Sequence, residues 1–318
     1  MIGLLLQLND VRLEEMLREA GYSVTEAWPL TTEMPSRLRA LNSAALASSI
    51  FLVARRRERD DVGDYATDVR PQLEQIVRER VATLLGEGIT GSDLVIACVG
   101  AELRAYTQYA RVELPNGQEL APSAYLDDVQ GEVLETVLEQ VMQCERHGVG
   151  GMDKPTQYYV LGRYQYGPAT VQFDEANVLA RGVGVELDAP SGLTVGRLAL
   201  VEKQRDKVRL RDYGERGGED GLGVPTEDDH RVPLVDVLHR LLWLLDHDSG
   251  AIGQFLLMAQ PDANQLRMVA QALAGRGLAA EPTPSATLDS RTAEQRAIDR
   301  LMASWRNVVE QNLFTGSR

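Results

Sequence analysis

Between Gly21 and Arg57 two apolar runs are separated by a long polar, basic connection, and this arrangement limits the fold more than any other stretch of the chain. Tyr22 to Trp28 reads as a strand bounded by a helix-ending Gly21 and by Pro29, and Ile50 to Ala54 is a continuous apolar run of the kind that lies deep in a sheet. A two-stranded ribbon alone buries too little surface to be stable. The pair therefore predicts the edge of a larger sheet whose remainder lies outside this chain. Upstream, Asn9 or Asp10 can cap a helix with Leu13, Met16, Leu17 and Ala20 on one face. Leu4 to Leu8 is expected as a strand or helix edge.

With 318 residues, 44% hydrophobic and 25% charged, the chain can bury a full core and is expected to divide into domains. The net charge of −14 opposes general binding to nucleic acid, because phosphate contacts rest on Lys and Arg. Any DNA contact must come from local basic patches. Cys98 and Cys144 are the only cysteines and do not form a Cys-x-x-Cys pair, which excludes a disulfide framework and a cysteine-rich zinc site. The opening Met-Ile-Gly-Leu-Leu-Leu-Gln-Leu is too short and lacks the charged leader of a signal peptide, and no apolar run approaches a bilayer span. A reduced cytoplasmic setting is expected.

The chain then divides at 60–68, a polar linker containing Gly63, and at 214–230, a Gly- and acid-rich loop expected to be mobile. The expected parts are 1–59, a sheet edge; 69–213, mixed but mainly helical; and 231–318, helical. Within 69–213, helices are predicted from Pro71 to Leu85, from Leu94 to about Tyr109, and onward from Ser123. Thr156 to Gly167 is ambiguous, with the tyrosine-rich composition of a strand. Asp174 is expected to cap a short helix. Leu198–Glu202 and Lys207–Leu210 predict a hairpin around Gln204-Arg205-Asp206, and a helix followed by a basic hairpin suggests a winged-helix arrangement. Thr292 with Gln295 matches a capping box opening the last helix.

Common catalytic patterns are missing. Gly148 to Thr156 does not have phosphate-loop spacing, and Gly182-Val183-Gly184 lacks the third glycine of a dinucleotide turn. Cys144 and His147 fall short of a zinc shell, and His239, His247 and Asp248 bring no second ligand helix. His239 is expected on a helix surface, with Asp246-His247-Asp248 ending that helix. Two basic clusters remain. Arg37, Arg39, Arg55, Arg56, Arg57 and Arg59 form the first; Arg197, Lys203, Arg205, Lys207, Arg209 and Arg211 form the second. Each is either a solvated surface interleaved with acids such as Glu58, Asp60, Glu202 and Asp206, or a phosphate contact.

The residues Gly21-Tyr22, Trp28-Pro29, Pro35-Ser36-Arg37, Ala45-Leu46-Ala47-Ser48-Ser49 and Ile50 to Arg55 give the chain a family resemblance. It resembles the C-terminal part of the large adenine-specific DNA methylases with a Zn-ribbon, a bacterial and archaeal family linked to anti-phage defence. The likeness continues through Gly88 to Leu94, Tyr158 to Leu161 and Val237 to Leu242. It implies an α+β, predominantly α protein. A helix and two strands from the end of a Rossmann-like methyltransferase sheet would precede a mainly helical domain with one or two hairpins.

The resemblance also implies S-adenosylmethionine as the cofactor of the complete enzyme. Its implied partners are an N-terminal methylase polypeptide, DNA within the assembled enzyme, and defence-system proteins. The family grips its base with Asp/Asn-Pro-Pro-Tyr/Phe, yet this sequence contains no Pro-Pro dipeptide. Neither catalytic nor cofactor-binding residues are therefore expected here, nor metal ligands, and the chain is expected to act as a fragment or subunit. A stand-alone DNA-binding or protein-interaction module is the alternative. Under either reading the DNA-contact candidates are Arg37, Arg39, Arg55, Arg56, Lys203, Arg205 and Lys207, with the Arg37–Arg39 loop placed near a bound base by the resemblance.

Overall fold

The computed structural model describes residues 2–6, 20–31, 48–57, 60–87, 91–142, 151–188, 190–226, 232–275 and 291–315. Helices account for 60% and strands for 11%, so the fold is α+β with helices predominating. The chain forms two compact units, Met1–Val137 and Leu138–Arg318.

The first unit contains a three-stranded sheet of β1 (Ile2–Leu6), β2 (Tyr22–Thr31) and β3 (Ser48–Arg56), in the order β1-β3-β2. The two strands expected from the sequence are β2 and β3. Their neighbour is β1, so part of the sheet sought outside the chain is supplied by its own first residues. Both outer strands run antiparallel to β3, which makes β1 and β2 parallel to each other. The register slips between Val24 and Glu26, leaving Thr25 as a bulge whose hydroxyl donates to Val53 O at 3.1 Å.

Residues 60–68, expected as a linker, are structured. Strand β4 (Val62–Asp64) leads into a wide helical turn (Tyr65–Val69) and helix α1 (Arg70–Gly86), with Tyr65 and Val69 buried. Gly63 is there for close approach: a Cβ would lie 2.7 Å from the Tyr109 ring. Helix α2 (Gly91–Thr107) follows, then β5 (Arg111–Glu113), which pairs parallel with β4, then helix α3 (Pro122–Met142). Helix α2 lies against β2 and β3, and its Thr107 hydroxyl accepts the Val24 amide at 2.8 Å. This satisfies a donor on the outer edge of β2, as sheet edges require. The helix expected before Tyr22 lies outside the described residues.

The second unit begins with helix α4 (Lys154–Tyr166), which settles the tyrosine-rich segment as helical. Its start explains why. Asp153 accepts the Thr156 amide at 2.8 Å, and Pro155 occupies the first turn, where its missing N–H costs nothing. Strand β6 (Val171–Gln172) and helix α5 (Phe173–Val183) come next; Gln172 is the N-cap, and Asp174, expected as the cap, sits in the first turn because the helix begins two residues earlier. The predicted hairpin is β7 (Val201–Gln204) and β8 (Lys207–Leu210), joined by Arg205-Asp206 with Arg205 at a φ of 60°. Strand order is β6-β8-β7.

Helix α6 (Tyr213–Arg216) opens the Gly-rich stretch expected to be mobile. Residues 214–226 are instead packed: Leu222 is fully buried, and a Cβ on Gly217 would lie 2.7 Å from His239 O and 2.5 Å from Trp243 Cβ. The glycines admit backbone against helix α7 (Leu234–His247). Helices α8 (Ile252–Ala259), α9 (Ala263–Leu273), α10 (Ala293–Ala303) and α11 (Gln311–Thr315) complete the unit. Their buried faces match the apolar stripes of the sequence, including Leu266, Val269, Ala270 and Leu273 on α9 and Ile298 and Leu301 on α10.

Candidate functional site

The sequence candidates fall in three places. Arg37 and Arg39 lie outside the described residues, as do Arg59, Cys144 and His147. Arg55 and Arg56, at the end of β3, are exposed. Arg57, next to them, is not a surface cation: its guanidinium donates to the carbonyls of Thr107 (3.4 Å) and Tyr109 (3.1 Å) and pairs with Asp60. There it stabilises the negative end of α2.

In the hairpin, Lys203 pairs with Asp188 and lies over the Phe173 ring at 4.1 Å. Arg209 pairs with Glu202 and Glu215, and Arg197 with Glu219. Arg211 donates to the carbonyls of Arg197, Ala199 and Glu215. Arg205 and Lys207 carry no ion pair among the described residues.

The densest chemistry lies elsewhere, around His239. It is fully buried, not on the surface of its helix as expected. The missed signal is its spacing: His239 lies four residues after Val235 and three before Leu242, within the apolar stripe of α7. Helix α7 starts at Pro233 without a side-chain cap of its own. Asp153 and Thr156 of α4 supply one, accepting the amides of Leu234 and Val235, each at 2.9 Å. Asp153 thus caps two helices and fixes α4 against α7. The capping box of Thr292 and Gln295, each side chain accepting the other's amide at 3.1 Å, places Glu294 in the first turn of α10.

These three helices bring together Tyr159, Arg163, His239 and Glu294. Glu294 Oε1 accepts from Tyr159 Oη at 2.6 Å and from His239 Nε2 at 3.1 Å, and its Oε2 lies 3.1 Å from Arg163 Nε. Arg163 Nε also donates to the Tyr159 hydroxyl at 2.9 Å. On the other side of the imidazole, Nδ1 is 3.4 Å from Arg216 Nη1, which donates to Asp236 at 2.8 Å. An arginine has only donors, so Nδ1 is the acceptor and the proton sits on Nε2.

Burial lowers the pKa of His239, opposed by its bond to Glu294. Burial pushes Glu294 upward, but His239, Arg163 and Tyr159 outweigh it and hold the carboxyl below its usual value. At neutral pH the centre is a neutral imidazole on an ionised carboxylate that is paired with Arg163. Arg163 and Glu294 also border a cavity of about 300 Å³. Val141, Val160, Ala272 and Leu273 line its apolar side; Asp212, Thr292 and Gln295 add polar groups.

The first unit holds a contrasting acid. Glu102 on α2 is fully buried, and neither carboxylate oxygen has a hydrogen-bond partner. Burial, reinforced by Glu132, raises its pKa well above the carboxylate range, against the opposing charge of Arg80. Burial likewise raises the Cys98 thiol, which makes that cysteine unreactive. Among the described residues no group of three His, Cys, Asp or Glu side chains could hold a metal ion, and no helix is long and apolar enough to cross a membrane.

The strand that starts a parallel crossover is β1, and the residues after it, Gln7-Leu8-Asn9-Asp10-Val11-Arg12, offer no glycine to let backbone approach a ligand. No family model, no curated protein and no solved structure matches the chain.

Proposed function

We propose that this chain serves as the C-terminal part of a DNA adenine-N6 methyltransferase, a subunit or fragment that supports the catalytic domain or the assembly of a defence complex and does not transfer methyl groups alone. The observation that carries the reading is the sheet β1-β3-β2. Parallel strands of one sheet need a crossover of about a dozen residues or more, and residues 7–21 connect β1 to β2, which flank the antiparallel β3. Sheets that mix parallel strands with an antiparallel one are common among doubly wound α/β folds, and here the antiparallel strand is the central β3. Thr107 takes one amide of β2, that of Val24, and β1 is the other outer strand, a side on which further parallel strands could add. Of the methylase-like residues, Tyr22, Trp28-Pro29 and Ser48 to Arg55 lie in β2 and β3.

In this reading the N-terminal methylase polypeptide supplies the cofactor turn and the base-gripping motif. S-adenosylmethionine belongs to that part, and DNA reaches Arg55, Arg56 and the Arg37–Arg39 loop only in the assembled enzyme. A stand-alone DNA-binding module has less support. Four of the hairpin's six cations are already held by carboxylates or carbonyls, which leaves little charge for phosphate. The test is co-expression of the chain with a methylase polypeptide carrying Asp/Asn-Pro-Pro-Tyr. The two are expected to co-purify in equal amounts, and substitution of Leu4 by proline, which removes a ladder donor from β1, is expected to reduce recovery of the pair. Separate elution of two folded polypeptides would refute the proposal.

A further inference from the structure

The cavity beside Arg163 has an uneven distribution of bonding capacity. Glu294 Oε1 is taken by Tyr159 and His239, and its Oε2 is paired with the Arg163 guanidinium. Arg163 spends Nε on Glu294 and Tyr159 and Nη1 on Gly167 O at 3.2 Å, which leaves Nη2 as a donor. Asp212 spends Oδ1 on the amides of Gly214 (2.9 Å) and Glu215 (3.2 Å), which leaves Oδ2 as an acceptor. Val141, Val160, Ala272 and Leu273 form an apolar wall, and Tyr164, Thr292 and Gln295 complete the lining with polar side chains.

Two carboxylates against one guanidinium disfavour an anion in this space. An apolar molecule would leave both free polar groups unmatched. A ligand that accepts from Arg163 and donates to Asp212, with a flat body against the apolar wall, pairs both of these groups, and the Tyr164 hydroxyl, buried without a partner, adds a further polar group to the lining. A volume near 300 Å³ is at the small end for ligand pockets, enough for one or two rings. We infer that this cavity binds a small planar heterocycle whose edge presents a hydrogen-bond donor beside an acceptor, the chemistry of a nucleobase. The site lies within the second unit and does not rest on the methylase reading.

Calorimetric titration of the full chain with cytidine and guanosine tests this, with N4,N4-dimethylcytidine, inorganic phosphate and acetate as comparison probes. Saturable binding of the nucleosides is expected, weakened about tenfold or more when dimethylation removes the donor. Asp212→Asn retains the cap of α6, since Asn and Asp cap equally well, but turns the free acceptor into a donor. It should weaken binding by a similar factor. Ala272→Leu should also weaken it by filling the space while leaving the polar groups in place. A single-stranded oligonucleotide separates the sources: binding of nucleosides alone indicates a free small molecule, and binding of both indicates a base carried on a strand. The inference is overturned if the folded chain binds no nucleoside up to about 10 mM, if phosphate or acetate binds more tightly, or if Asp212→Asn and Ala272→Leu bind as the parent does.

Discussion

Two buried glutamates, one in each unit, show how differently this protein handles the same side chain. Glu294 is 5% exposed and Glu102 0%, so burial alone does not distinguish them. Glu294 is surrounded by Tyr159, Arg163 and His239 and remains ionised; Glu102 has no hydrogen bond to either oxygen and is driven toward its neutral form. A buried carboxylate therefore depends on its partners for its charge state. In the second unit those partners come from three helices and fix their packing. In the first, Glu102 is a liability carried inside the fold.

The largest effect should come from breaking the satisfied acid. Glu294→Gln leaves Arg163 buried beside a neutral amide and is expected to cost about 3–5 kcal/mol of stability, measurable by denaturant unfolding. Loss of less than about 1 kcal/mol would mean that the network does not hold the unit together. The unsatisfied acid should respond in the opposite direction. Glu102→Leu removes a buried polar group without a partner and is expected to add about 1–3 kcal/mol at neutral pH.

The pH dependence separates the two acids further. Glu102 has a raised folded pKa, so the folded state binds more protons than the unfolded one above about pH 4, and its contribution to stability falls as pH rises through the folded value. Glu294 has a depressed folded pKa, so its contribution is present above about pH 4 and lost as pH falls through the folded value. His239 adds to the acid loss: its folded pKa is depressed, so the unfolded state gains a proton first as pH falls below about 6.5. In a comparison of pH profiles, Glu102→Leu should lack the decline that the parent shows above about pH 4 and should keep the acid loss due to Glu294 and His239. The smallest effect belongs to the exposed hairpin pairs. Lys203→Ala is expected to change stability by about 0.5 kcal/mol or less, because its partner Asp188 is exposed.

The same contrast explains what could be read from the sequence. The strands β2 and β3, the hairpin β7–β8, the capping box at Thr292 and the apolar faces of α7, α9 and α10 all have local signals: alternation, apolar runs, turn residues or helical spacing. The site does not. Tyr159 and Glu294 are 135 positions apart, and no local pattern marks them as partners. His239 was legible only as a polar residue within an apolar stripe. Gly63, Gly217 and their surroundings suggest linkers by composition, whereas they let backbone approach the Tyr109 ring and, on helix α7, Trp243 Cβ and the His239 carbonyl. Composition separates flexible glycine from close-packed glycine only when the neighbour is known.

The most direct test of the functional account is calorimetric titration of S-adenosylmethionine into the purified chain, first alone and then with the methylase polypeptide that carries the Asp/Asn-Pro-Pro-Tyr motif. The account predicts no binding heat from the chain alone and saturable binding once the second polypeptide is present. Saturable one-to-one binding by the chain alone would contradict it.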